Sequence, residues 1–366
     1  MEVTDLSHAS EQVPEAGHTN NVTVARCPGR VNLIGDHTDY NNGVALPMAI
    51  DLYTEVTYDP ISGSQVIEIY SDTQQGVAKV DIDIPLTSEA IREVEPPWSR
   101  AAAGIVALTR PFEGGRLSYS GNLPVGAGLS SSAAFEVGTA LALGIEGDPT
   151  VVAEQCRHAG EVATGVPAGI MDQLTVLAAR QGSALLIDFS TLLYKYIKLP
   201  ESMEVVVVHS GQQRILAGSA YAARRTECEA AALHLGSLGE ISYDVANALP
   251  DDTMRRRARH VVSECERVKR FARCMEKGDL RTAGQLMVES HRSLAGDFEV
   301  STPVLDRLVD ELTSLDGVYG ARLTGAGFGG CVVAICDPGS IDISTFKNGA
   351  WVVKPSAGAS IVQAPS

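Results

Sequence analysis

Period-two alternation of apolar and polar residues marks the first third of the chain. Val66-Ile67-Glu68-Ile69-Tyr70 and Val80-Asp81-Ile82-Asp83-Ile84 read as half-buried strands, because successive side chains of a strand face opposite sides. Val22 to Ala25 and Arg116 to Ser120 are further strands. Gly43 to Tyr58 is rich in apolar and β-branched residues and follows an Asn42-Gly43 turn signal. Trp98 to Leu108 and Ala133 to Leu143 carry strong helix formers. In the second half the apolar run Val205 to Val208 fits a buried strand. Arg255 to Lys277 has apolar residues at 258, 261, 265, 268, 272 and 275, which is one face of an amphipathic helix. Val318 to Thr324 and Cys331 to Cys336 read as two strands joined by a glycine loop. Strands and helices mixed without steady βαβ alternation predict an α+β fold.

The length of 366 residues suggests two domains, or one large two-layer enzyme. A boundary near 190–203 divides the chain into 21–195 and 196–366. The first 20 residues are acidic and lack Lys or Arg, and they read as a disordered tail. They have no basic or apolar region of a signal peptide. No apolar run approaches a bilayer span. The seven cysteines are odd in number and form no C-x-x-C pair, which fits reduced thiols in a cytoplasmic protein. With 29 Lys plus Arg against 45 Asp plus Glu, the formal charge is −16. That balance argues against nucleic acid and anionic membranes as partners. The Arg255-Arg256-Arg257 run reads as a solvated helix face.

Four segments carry candidate chemistry. The first, Gly121 to Ala133 (GNLPVGAGLSSSA), puts three glycines and three serines between a strand and a helix. Backbone N–H groups at a helix start form an anion site, and glycine lets a ligand come close; a flexible turn is the other reading. It is not a P-loop, since no Lys follows the glycines. The second, Pro28 to Gly43 (PGRVNLIGDHTDYNNG), gathers carboxylates, an imidazole, a guanidinium and amides that suit the hydroxyls of a sugar, or Asx-turns. The third, Gly169 to Gln173 (GIMDQ), holds Asp172 among apolar residues, as a candidate base or a helix cap. The fourth, Leu323 to Cys331, has four glycines in six residues, which implies close approach to a ligand or to the first loop.

Together and in this order, these segments resemble the galactokinases of the GHMP family of small-molecule kinases. So does GDLRTAGQLMVESHRSLAGDFEVSTPVLDRLV, and the resemblance covers roughly residues 22 to 336. It implies an N-terminal domain like ribosomal protein S5 domain 2, a ferredoxin-like C-terminal domain, and a cleft between them. The implied reaction transfers the γ-phosphoryl of Mg-ATP to the anomeric hydroxyl of α-D-galactose, by a monomer. Asp172 matches the catalytic Asp and Arg30 the Arg beside it. Asp36, His37, Asp39, Gly169, Asp172 and Tyr221 match sugar-contacting positions. Gly126, Ala127, Gly128, Leu129, Ser130, Ser131 and Ser132 match the ATP phosphate loop, with Ser132 the Mg²⁺ ligand. Trp98 matches an aromatic near the adenine pocket; a plain core Trp is the other reading.

Two positions depart from the family pattern. Asp36 stands where Glu is usual, near the sugar O6. It is one methylene shorter, so the contact becomes water-mediated or the pocket admits a bulkier C6 group. Gly160 stands where a metal-binding Glu is usual, and Glu161 comes next. One residue on a helix is a turn of ~100°, so Glu161 cannot simply substitute. Mg²⁺ then rests on Ser132, ATP oxygens and water. The resemblance leaves two other functions in play: a kinase acting on N-acetylgalactosamine, L-arabinose or galacturonate, and a sensor that binds sugar and ATP without turnover.

Overall fold

The computed structural model describes residues 22–212 and 218–363; the expected tail at 1–20 lies outside them. The chain opens with β1 (Thr23–Asn32), β2 (Val44–Ala45), β3 (Pro47–Pro60), β4 (Val66–Ser71) and β5 (Ala78–Asp81). Then come α1 (Ser88–Arg92), α2 (Arg100–Thr109), β6 (Gly115–Gly121), α3 (Ser131–Ala142), α4 (Pro149–Thr164) and α5 (Met171–Ala178). Three strands follow, β7 (Ser183–Asp188), β8 (Leu193–Lys198) and β9 (Glu204–His209). A helical stretch contains α6 (Gly218–Leu235), α7 (Tyr243–Asn247), α8 (Asp252–Lys277), α9 (Leu280–Gly296) and α10 (Pro303–Thr313). The last strands are β10 (Val318–Thr324), β11 (Cys331–Cys336), β12 (Ala350–Val353) and β13 (Ser360–Gln363).

Among the described residues these strands form three sheets. The N-terminal sheet has the order β13-β1-β3-β6-β4-β5, with β4 parallel to β6. α3 packs on β1 and β3, with α2 and α4 behind it. Ala133, Ala134, Val137 and Ala140 of α3 are buried there, at the i, i+1, i+4, i+7 spacing of one helix face. The second sheet, β10-β11-β9-β12, carries α9 and α10 against β10. β2, β7 and β8 form a third, small sheet. Asp148, Asp251 and Asp279 cap α4, α8 and α9 by accepting backbone N–H bonds of the first turn.

Three sequence expectations need correction. Arg257, in the run read as a solvated face, is buried, with its guanidinium paired to Glu227 and Glu299. The strand expected over Val80 to Ile84 ends at Asp81. The Asp81 carboxylate accepts from the Asp83 N–H, and its carbonyl accepts from Ile84 N, so local turn bonds replace the ladder. The residues after 195 also do not all stay in the second lobe. β13 returns to pair antiparallel with β1, Val24 facing Val362, so the chain end is an edge of the first sheet. Four residues hold little periodicity, and only the exposed edge of β1 decides where they dock.

Candidate active site

The site forms where β1, the turn after it, the loop before α3 and the start of α5 converge, with β10 and α6 closing it from the second lobe. Arg30 lies on β1 at a register break between Pro28 and Arg30, and it is buried. Its Nε and Nη2 donate to the two carboxylate oxygens of Asp172, each at 2.6 Å. This two-pronged geometry is the strong form of a guanidinium–carboxylate contact. Arg30 Nη1 also donates to the Gly128 carbonyl at 3.0 Å. Ser130 Oγ donates to Asp172 Oδ2 at 2.6 Å. Asp172 sits in the first turn of α5, where the helix dipole favours a negative charge. One arginine therefore ties the GIMDQ carboxylate to the glycine–serine loop.

That loop departs from ordinary backbone geometry. Gly126, Gly128 and Ser130 all have positive φ, 77°, 83° and 59°. Ser130 is a left-handed N-cap for α3, so Ser131 and Ser132 begin the helix with free N–H groups. Ser131 and Ser132 line a cavity of about 190 Å³. Trp98, Tyr119, Phe135, Ser71 and Thr73 line it too. Trp98 donates its indole N–H to the Gln75 carbonyl at 2.9 Å and meets Phe135 edge-on at 6.3 Å. It is thus both a packing residue and a cavity wall. Ala127 and Leu129 are buried; Leu129 O accepts from Arg30 N, and Ala127 O accepts from Cys331 Sγ at 2.9 Å. Cys331 ends the second glycine loop, so that loop abuts the first.

The turn after β1 supplies the other predicted residues. Asp39 opens a short 3₁₀ turn, Asp39–Asn41, and a Cβ at Gly169 would collide with its Oδ2. Only glycine lets these two approach. Burial, then the charges of Asp172 and Asp36, push the Asp39 carboxyl up to about 7. His37 has a positive φ of 66° and shares a hydrogen bond with Tyr40 Oη through Nδ1 at 2.8 Å. Its ring lies 4.5 Å from Phe298 and 5.9 Å from Tyr221. Tyr221 comes from α6, and burial raises its phenol. His37 is thus a neighbour of Tyr221 and Gly169 of Asp39, and the charge of Asp172 acts on both Asp39 and Tyr221.

Asp36 behaves differently. It is 2% exposed, and both its oxygens have protein partners. Asn32 Nδ2 donates to Oδ1 at 3.0 Å and Gly325 N at 3.1 Å. Arg322 Nη2 of β10 donates to Oδ2 at 2.6 Å. Arg322 also reaches the Asn32 and Leu33 carbonyls, and Glu264 of α8 lies 3.9 Å away. Burial works to raise Glu264, but Arg267 and Arg322 outweigh it and bring the carboxyl to about 2. Glu264 and Arg322 were missed in sequence, while Asn32 was one of the amides of the Pro28 to Gly43 segment; a buried inter-lobe network has no periodic signal.

The family's metal implies one further check. Gly160 is packed against another acid: an ideal Cβ there would lie 2.5 Å from Glu136 Oε1. Glu161 is taken by Arg157 at 2.7 Å. The Ser132 hydroxyl remains as a donor at the head of α3. One hydroxyl with water and substrate oxygens suits Mg²⁺, which keeps much of its hydration. Glu136 and Gln173, which Gln173 Nε2 joins at 2.9 Å, form a pair that no sequence signal singled out.

Comparison with known proteins bears on the family and the fold. A galactokinase galactose-binding signature matches residues 15–60, a GHMP kinase N-terminal domain matches 97–180, and a GHMP kinase C-terminal domain matches 271–343. The galactokinase of Bos taurus is 39% identical over 323 residues, covering 85% of this chain and 82% of that protein. That of Roseiflexus sp. (strain RS-1) is 40% identical over 344 residues, covering 89% and 85%. The crystal structure of Lactococcus lactis galactokinase complexed with galactose superposes with a TM-score of 0.84 at 28% identity, over 94% of this chain and 96% of that one. The mevalonate kinase of Methanococcus jannaschii shares the fold, with a TM-score of 0.63 at 20% identity, over 93% of this chain and 99% of that one. With relatives this similar across most of both chains, the chain belongs to the galactokinase family of GHMP kinases.

Proposed function

We infer that this protein phosphorylates the anomeric hydroxyl of α-D-galactose with ATP, giving α-D-galactose 1-phosphate and ADP. The observation that carries the reading is the Arg30–Asp172 pair, set between a serine-rich helix start and a polar pocket. In the reaction the sugar O1 bonds to the γ-phosphorus, the bond from that phosphorus to the β–γ bridging oxygen breaks, and ADP leaves. Asp172 orients the O1 hydroxyl and accepts its proton. Arg30 fixes the carboxylate and offers positive charge to the transferring group. Such transfer depends mainly on positioning and electrostatics, so a moderate base suffices.

Asp39, His37, Gly169 and Tyr221 bind the sugar in this reading, Asp39 as an acceptor for hydroxyls. The N–H groups and hydroxyls of residues 126–132 hold the phosphates, and the Trp98 cavity takes the nucleobase. Ser132 is the residue that would hold Mg²⁺, whose chemistry there is to neutralise phosphate charge. A basic surface is not needed, because a helix N-terminus and glycine N–H groups supply the field. Nucleic acid and membrane play no part. One cytoplasmic chain suffices as a monomer, since both lobes come from the same polypeptide.

The test is direct. Purified protein with ATP, Mg²⁺ and galactose should yield an anomeric sugar phosphate by ³¹P NMR, in equal amount to ADP. A sugar panel including N-acetylgalactosamine and L-arabinose should favour galactose. ADP release without sugar phosphate would overturn the reading.

A further inference from the structure

We propose that Glu136 is a positioning residue: its carboxyl, seated in the space Gly160 leaves open, anchors Gln173 and through it the first turn of α5 that presents Asp172. Three contacts carry this. An ideal Cβ at 160 would stand 2.5 Å from Glu136 Oε1 and 3.0 Å from its Cδ, so any side chain on α4 at that point would displace the carboxyl. Gln173 Nε2 donates to Glu136 Oε2 at 2.9 Å. Gln173 Oε1 has no hydrogen-bond partner among the described residues, so the bond to Glu136 is what fixes this buried amide. Ser130, which leads into the same helix α3, donates to Asp172 Oδ2 at 2.6 Å. α3 thus grips the Asp172-Gln173 dipeptide at two points, Ser130 at its head and Glu136 further along.

The cost of the arrangement points the same way. Glu136 is 5% exposed, and its side-chain partner Gln173 is an uncharged amide. A buried acid with one neutral partner is expensive compared with an apolar side chain of similar size. What it provides is direction: an acceptor aimed at Gln173. Burial also pushes the Glu136 carboxyl up to about 8, so the neutral acid prevails at neutral pH and glutamine is its close copy. Small displacements of a reacting carboxylate are costly, with an ångström worth roughly 10²-fold in rate.

The proposal rests on the reading of Asp172 as the group at the sugar hydroxyl. Its test uses the full chain, with kcat and KM for galactose and for ATP measured separately. Glu136→Leu should lower kcat roughly 10- to 100-fold while both KM values stay within about threefold. Glu136→Gln should restore most of that loss, because its amide oxygen accepts the same bond. Gly160→Ala, whose methyl displaces the carboxyl, should resemble Glu136→Leu, and it decides the matter if Glu136→Leu does not fold. Wild-type kcat in Gly160→Ala, or a loss confined to KM, would overturn the strut. Equal losses in Glu136→Gln and Glu136→Leu would overturn it in favour of a role for the charge. Asp172→Asn run alongside separates the two readings: full activity there removes the role of Asp172 itself, whereas its loss with Glu136→Leu unimpaired removes only the strut.

Discussion

Arg30 and Asp172, 142 residues apart in the chain, meet as a two-pronged ion pair with both nitrogen–oxygen distances at 2.6 Å. The guanidinium is almost wholly buried while the carboxylate keeps an open side, its side chain 31% exposed. That open side is where a substrate hydroxyl has access. Asp172→Asn keeps the shape and removes the proton acceptor. Turnover should fall roughly 10²–10⁴-fold with sugar affinity nearly unchanged. Arg30→Lys loses the fork and should lose roughly 10²-fold in kcat. Steady-state kinetics with a separate calorimetric sugar titration checks both.

Asp39 links binding to pH. In the proposed reading its carboxylate accepts sugar hydroxyls, and its carboxyl is pushed up to about 7. Below that pH it is protonated, so kcat/KM for galactose should rise through about pH 7 and flatten above it. For stability the sign is opposite. The folded group binds its proton more tightly than the unfolded chain, whose carboxyl titrates near 3.9, so stability present at low pH is lost as pH rises to about 7. Asp39→Asn should therefore melt higher than wild type at pH 8, by at most about 4 kcal/mol, and equal it near pH 4. Melting curves across that range test the claim; a gap that shrinks as pH rises would refute it.

Gly169→Ala should act on the same acid. Its methyl would collide with Asp39 Oδ2. KM for galactose should rise about tenfold or more while KM for ATP holds, because the displaced group is assigned to the sugar in the proposed reading.

Asp36 and Arg322 join the lobes from the interior, the arginine fully buried. Removing one partner strands a buried charge, so Arg322→Met should cost about 3–5 kcal/mol in urea unfolding. The double variant Asp36→Asn, Arg322→Met should recover part of that. With both Asp36 oxygens occupied, a 6-deoxy sugar should lose less than about tenfold in kcat/KM relative to galactose. A large loss would mean Asp36 releases its partners when sugar binds.

Trp98 should matter to one substrate only. Trp98→Ala removes a wall of the cavity beside Phe135 and Ser132. KM for ATP should rise about tenfold, about 1.4 kcal/mol, with KM for galactose unchanged. Equal effects on both substrates would mark Trp98 as a core residue.

The sequence by itself determined a great deal here. Alternation located β4 and the second half of β5, and the helical spacing of apolar residues located α8, because those elements bury one face and their period reports it. The motifs, through their family resemblance, named Arg30, Asp172, Asp39, Gly169 and the serine loop. What the sequence could not carry is contact between distant segments. The grip of Arg30 on Asp172, the retreat of Asp36 onto Arg322, the return of β13 to β1 and the seating of Glu136 over Gly160 each join residues with no common period. Their geometry depends on where sheets and helices come to rest, and on burial that removes water from polar groups and forces them to find one another.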